Sequence, residues 1–224
     1  MTTATASPIP QWFEGSEYTH KVAASIMKYG PISRITLAQI LGLSQGAVSR
    51  ITSDLIYAGV IEETPMQSGQ DNKLPKGFIR KENPERRGRP QTGLRVIKDA
   101  RTFVGMKINA THISVVAVNA IGQIVTGCHD LPLEETSPEN VVAVIKQLTT
   151  DCSDETVMTG LPRPCAIGIS LGGHIFNDAT VTFAPFLHWS RPVEISKMVR
   201  EATGLPTGIY NDIDSLLVDA CWFG

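Results

Sequence analysis

Residues 32–63 read ISRITLAQILGLSQGAVSRITSDLIYAGVIEE. Ser33 is placed to cap a helix over Arg34–Leu41, and Thr36 with Gln39 three residues on offers a second capping pair. Gly42 then supplies a sharp turn. Ser44 caps a further helix running to about Ala58, whose Val48, Ile51 and Leu55 fall on one apolar face. Gly59 ends it, and Val60-Ile61 begins an extended piece. Upstream, Val22, Ala23, Ile26 and Met27 recur at helical spacing from Thr19, until Gly30-Pro31 stops the element. Three short helices with a tight glycine turn between the second and third make a helix-turn-helix. A returning strand at 94–98 makes it winged.

The polar side of the third helix carries Gln45, Ser49, Arg50 and Ser53, free to meet base edges or phosphates in a major groove. Arg34 and Ser44, at the starts of the second and third helices, join them as DNA-contact candidates. The plain alternative is a small helical core with no nucleic-acid role. Residues 62–93 show little periodicity and read as a long loop or β-wing. Within 73–101 lie 10 of the chain's 20 Lys+Arg against three acids, centred on Arg86-Arg87-Gly88-Arg89-Pro90. Gly and Pro keep that centre extended, a form that fits a narrow minor groove. A solvated charge run is the alternative for this stretch.

The charge is divided along the chain. Residues 1–101 hold 14 Lys+Arg and 9 Asp+Glu, whereas 102–224 hold 6 and 13, within a whole-chain net of −2. Two domains with different partners follow from that split. A hydrophobic content of 42% excludes a wholly disordered chain. No apolar run approaches the ~20 residues of a membrane span. The start, MTTATASPIPQWFEG, has no basic segment followed by an apolar one, so no secretory signal is expected. The four cysteines are scattered without a Cys-x-x-Cys pair, which points to a reducing cytoplasm and away from disulfides or a structural zinc site. Cys128 beside His129 is too little for a metal site, and no metal or cofactor is expected.

From Thr102 the character changes. TFVGMKINA, THISVVAVNA and QIVTGCHDL read as three strands, with a turn at Asn119–Gly122. A helix follows from Pro138 to about Thr150, then a strand CAIGIS, a Gly172-Gly173 loop and a helix over Pro192–Thr203. The strand GIYN and a helix over Asp212–Cys221 complete the order β-β-β-α-β-α-β-α. The expected fold is α/β, a mixed sheet with helices, preceded by the winged helix-turn-helix. The expected domains are a loose arm at 1–18, the DNA-binding domain at 19–101 and an α/β lobe at 102–224.

The helix-turn-helix, the Gly-Arg-Pro segment, GMKINATHI, AIGISLGGHI, APFLHW and NDIDSLLVDACWFG together resemble the ROK family of repressors, open reading frames and sugar kinases. The resemblance covers nearly all of 19–224 and implies an actin-like, ribonuclease-H-like lobe that binds a hexose or related sugar. Sugar kinases of the family carry Asp-x-Gly-Gly-Thr-Lys between two strands, to approach phosphate and hold Mg²⁺. Here the matching residues are Lys107-Ile108-Asn109-Ala110-Thr111-His112, and only Thr111 is kept. Loss of kinase activity is therefore expected. Asn211 and Asp212 match the family's sugar site, Asp212 standing where kinases keep their base. A helix cap is the simpler role for Asp212. Gly172 and Gly173 replace a family Pro-Gly whose backbone faces the sugar. His174 reads as an ordinary loop histidine, and Trp189, which matches a family Trp, as packing or lining. Family members continue into a second lobe with a Glu and a His of the sugar site, a zinc motif and the main dimer surface, which this chain is expected to lack.

The resulting expectation is a cytoplasmic, sugar-responsive repressor of carbohydrate-utilisation genes. It would bind double-stranded operator DNA and a sugar or sugar phosphate, as a homodimer or higher homo-oligomer, and no membrane. The alternatives are a ROK-type sugar kinase carrying a DNA-binding domain, and a constitutive DNA-binding protein without an effector.

Overall fold

The computed structural model of the chain describes residues 15–66, 74 and 92–222. It divides into two compact units, Met1–Ile97 and Lys98–Gly224.

The first unit begins with α1 (Glu17–Tyr29), capped by Ser16, whose side chain accepts from the Thr19 amide. Next comes α2 (Arg34–Leu41), where Ser33 Oγ accepts from the Thr36 amide at 3.1 Å. Gly42 closes it in the left-handed region at φ 64°, a conformation that glycine adopts without Cβ strain. Ser44 then caps α3 (Gln45–Tyr57). Strands β1 (Ile61–Pro65) and β2 (Thr92–Val96) pair antiparallel, from Ile61 opposite Val96 to Pro65 opposite Thr92. Ile32 and Leu94 exchange two backbone hydrogen bonds of 3.0 and 2.8 Å, tying the start of α2 to the wing strand. Val22, Ile26, Leu37, Val48, Leu55, Val60 and Leu94 are buried and form the core. The expected cap, turn and apolar face of the third helix are all present. The returning strand starts two residues earlier than the sequence suggested.

The second unit is one five-stranded sheet with helices. Its elements are β3 (Thr102–Ile108), β4 (His112–Asn119), β5 (His129–Pro132), α4 (Pro138–Met158), β6 (Ile167–Leu171), β7 (His174–Phe176) and β8 (Thr180–Phe183). A 3₁₀ turn at Pro185–Leu187 precedes α5 (Ile195–Thr203), β9 (Thr207–Asn211) and α6 (Asp212–Trp222). The sheet order is β5-β4-β3-β6-β9, with β3, β6 and β9 parallel and β4 and β5 antiparallel. Alternation puts Val104, Met106 and Ile108 of β3 on the same buried face as Ile167, Ile169 and Leu171 of β6. That face packs against Val141, Ile145 and Leu148 of α4 and Ile195 and Val199 of α5.

Four elements depart from the sequence reading, each for a chemical reason. The helix expected over Pro192–Thr203 begins only at Ile195, because Val193 exchanges two backbone hydrogen bonds of 2.9 Å with Val181. The strand expected over 123–131 survives only as β5, plus a single bridge between Val118 and Ile124. Between them Thr126 Oγ1 accepts from the Ala117 amide at 2.8 Å, so a side chain takes the place of a ladder bond. Helix α4 runs eight residues past Thr150. Its second half is polar, but Thr149, Thr150 and Thr156 donate to the carbonyls of Ile145, Lys146 and Cys152, which lets Thr149 and Thr156 be buried on the core face. The hairpin β7–β8 has no counterpart in the sequence reading. It turns at Asn177 and Asp178, both at positive φ (51° and 52°), a turn these residue types tolerate.

The cap of α2 gives a direct test. Ser33→Ala leaves the Thr36 amide without its acceptor and should lower the stability of the first unit by about 1 kcal/mol in denaturant melts followed by far-UV circular dichroism.

Candidate functional site

Two surfaces are candidates for functional chemistry, one in each unit. The first is the outer face of α3. With Val48, Ile51 and Leu55 turned into the core, Gln45, Gly46, Ser49, Arg50 and Ser53 are left exposed. Positions 46, 49, 50 and 53 fall at i, i+3, i+4 and i+7, so they form one stripe. A β-carbon at Gly46 would meet nothing within 4 Å. Arg50 enters no ion pair among the described residues. Ser53 Oγ donates to the Ser49 carbonyl at 2.9 Å, and a donating hydroxyl keeps its lone pairs as acceptors. Ser44 spends its hydroxyl oxygen on the Ala47 amide at 3.2 Å as the helix cap. Arg34 stands apart from this stripe: its guanidinium is bonded to Thr52 and Glu63 within the unit. Arg86, Arg87, Gly88, Arg89 and Pro90 lie outside the described residues.

The second surface is a cleft at the carboxyl ends of β3, β6 and β9, where α/β sheets place ligands. Lys107 on β3 and Ser170 on β6 are register partners in the parallel ladder. Asp212 follows β9 as the first residue of α6. Lys107 Nζ is paired with Asp212 Oδ2, and both side chains are about one-third exposed. Ser170 Oγ donates to Asp212 Oδ1 at 2.5 Å. Burial pushes the Asp212 carboxyl up, but hydrogen bonds from Lys107 and Ser170, together with the Lys107 charge, outweigh it and hold the group below the ordinary aspartate range. The cleft has a volume of about 180 Å³, lined by Lys107, Asn109, Ala110, Gly172, Phe186 and Asp212.

Asn211 plays a different part from its neighbour. Its amide Nδ2 donates to the Gly173 carbonyl at 2.5 Å, and its Oδ1 accepts from the Ile213 amide at 2.8 Å. It therefore pins the Gly172-Gly173 loop and caps α6, the task the sequence offered to Asp212. Gly173 is needed sterically, since a β-carbon there would sit 2.5 Å from the Phe183 carbonyl oxygen. A β-carbon at Gly172 would stand 3.5 Å from Asp212 Oδ2, inside the cleft. Four sequence-derived residues, Gly172, Gly173, Asn211 and Asp212, are thus gathered at one edge. Lys107, Ser170 and Phe186 were not among the candidates. In the sequence Lys107 stands only as a departure from a kinase motif, and its spacing gives no sign of a partner 105 positions away. His174 bonds to Thr182 across the β7–β8 hairpin, and Trp189 donates to the Thr136 carbonyl, both at 2.5 Å.

An ammonium has three donors, and a carboxylate accepts at two oxygens. The Lys107–Asp212 pair therefore retains capacity on both sides, enough to bridge neighbouring hydroxyls. Lys107→Met removes the cation that opposes the burial effect on Asp212. A carboxyl held below its ordinary range stabilises the fold above about pH 4 and loses that contribution as the pH falls further. Thermal melts of the wild type and Lys107→Met should therefore differ near neutral pH and converge in acid.

No family model matches the chain. It is 25% identical over 194 residues to the xylose repressor of Bacillus spizizenii, covering 85% of this chain and 44% of that protein. It is 22% identical over 203 residues to the DNA-binding transcriptional repressor Mlc of Escherichia coli, covering 89% and 45%. A crystal structure described as a ROK family transcriptional regulator, homologous to E. coli Mlc, superposes with a TM-score of 0.65 at 23% identity, over 87% of this chain and 45% of that one. The chain thus spans a little under half the length of these proteins. No helix among the described residues is long and apolar enough to cross a membrane. In sequence the chain is similar to these two repressors, and in fold to the crystal structure of a ROK family transcriptional regulator.

Proposed function

We propose that the chain is the DNA-binding part and the first effector-binding lobe of a sugar-responsive transcriptional repressor of carbohydrate-utilisation genes. The observation that carries this reading is the open polar stripe of α3 in a winged helix-turn-helix. Gln45, Ser49, Arg50 and Ser53 read base edges and phosphates in the major groove, with Ser44 at the helix start beside the backbone. Arg86, Arg87, Gly88, Arg89 and Pro90 supply the minor-groove contact. A homodimer matches this arrangement, since paired recognition helices bind half-sites about 34 Å apart.

The cleft binds the effector. Asp212 accepts from sugar hydroxyls, the backbone at Gly172-Gly173 faces the ligand, and Asn211 holds that loop in place. Phosphoryl transfer is not its task. A general base must be free to take a proton, whereas Asp212 is paired with Lys107 and accepts from Ser170. Ala110 and Lys107 also stand where a kinase needs glycine and a metal-binding carboxylate. Effector binding then alters DNA affinity through a coupling free energy between the two sites.

Titration of labelled upstream DNA by fluorescence anisotropy across a KCl series tests the DNA half. Binding should weaken steeply with salt, and absent or salt-insensitive binding defeats the reading. In the same assay Arg89→Ala should cost clearly more affinity than Lys98→Ala. Equal losses would remove the minor-groove role. Calorimetry against hexoses, N-acetylhexosamines and their phosphates tests the effector half, and detection of ATP-dependent sugar phosphorylation would overturn the non-enzymatic assignment.

A further inference from the structure

The sequence offers Arg34 as a DNA contact, but its surroundings in the fold point to another role. It is the first residue of α2. Its Nε donates to Thr52 Oγ1 at 2.9 Å, and its Nη1 pairs with Glu63 Oε1 at 2.8 Å. Thr52 belongs to α3 and is fully buried. Its hydroxyl donates in turn to the Ser49 carbonyl at 3.1 Å, so the Arg34 bond falls on an oxygen lone pair. Glu63 belongs to β1, the strand that opens the wing. One side chain therefore joins the second helix, the recognition helix and the wing.

The chemistry of the group suits that task. A guanidinium is planar and presents its donors in a rigid fork, so two partners in different directions fix its plane. The Arg34 side chain is 28% exposed, against 50% for Glu63. The carboxylate beside it also cancels the local positive charge that a phosphate contact would use. Arg50, by comparison, sits on the open stripe with no ion pair among the described residues.

We propose that Arg34 is a positioning residue that holds α3 in register with β1, and is not itself a phosphate contact. This rests on the DNA-binding reading above. α3 and the wing must engage one duplex together, so their mutual orientation has to be set before binding. The Glu63–Arg34–Thr52 chain sets it, and because the ion pair is internally neutral it releases no counterions from DNA.

Salt dependence separates the two roles, because each phosphate contact contributes about 0.9 to the slope of log affinity against log salt. Two variants of the full chain avoid any change in net charge. Arg34→Met combined with Glu63→Gln removes both charges, and Thr52→Val removes the acceptor in a nearly isosteric side chain. The probe is a labelled duplex enriched by the wild-type chain from a randomised pool. Both variants should bind it roughly tenfold more weakly, the order of one lost interaction, with the wild-type salt slope. Circular dichroism confirms that each is folded. A slope reduced by about 0.9 in the double variant, or an unaltered affinity in Thr52→Val, overturns the proposal. If the wild-type chain enriches no duplex, the DNA-binding reading itself fails, a result distinct from either outcome.

Discussion

The parallel register of β3, β6 and β9 is the constraint on which the second unit depends. Parallel strands carry their carboxyl ends to one edge of the sheet, and β6 lies between the other two. Lys107 and Ser170 are directly paired, and Asp212 leaves β9 one residue after its last strand position. The ammonium, the hydroxyl and the carboxylate therefore meet without a long loop to bring them together. The buried alternation on the opposite face holds this register, because a one-residue slip of β6 would turn Ile167, Ile169 and Leu171 away from α4 and α5.

At that edge the state of one carboxylate is set by its neighbours. A carboxylate that acts as a base needs a proton affinity matched to its task. At Asp212 the opposing effects of burial and of its donors resolve toward the ionised form. The pair is partly exposed, so solvent moderates its energy. Asn211 works beside it as a structural amide, spending donor and acceptor on the Gly173 carbonyl and the Ile213 amide. Two adjacent polar residues thus serve different purposes because one terminates a strand and the other opens a helix.

In the first unit the core is small, and its division of labour is clear. Val48, Ile51 and Leu55 fasten α3 to the body, which leaves a narrow outer stripe of Gly, Ser and Arg. The buried hydroxyl of Thr52 interrupts the apolar face of the helix. It is satisfied by Ser49 within its own helix and by Arg34 from α2, in keeping with the high cost of an unpaired polar group in a core. Elsewhere, Thr149 and Thr156 are buried on α4 by the same local logic, their hydroxyls returned to the preceding turn.

The sequence by itself determined the helix-turn-helix, its serine caps at 33 and 44, the left-handed glycine at 42, the alternation of β3 and β4, and the position of Asn211-Asp212 between a strand and a helix. These are local features, set by capping, backbone conformation and hydrophobic period, and they act within a few residues. Local polarity hid the second half of α4, and the Thr126 hydroxyl displaced part of an expected strand. Only the tertiary structure decided that Lys107 faces Asp212, that Ser170 completes the trio, and that Arg34 is bound to Thr52 and Glu63. Those outcomes depend on which strand lies beside which and on how helices cross. A charged side chain finds its partner through the fold, and sequence distance carries no record of it.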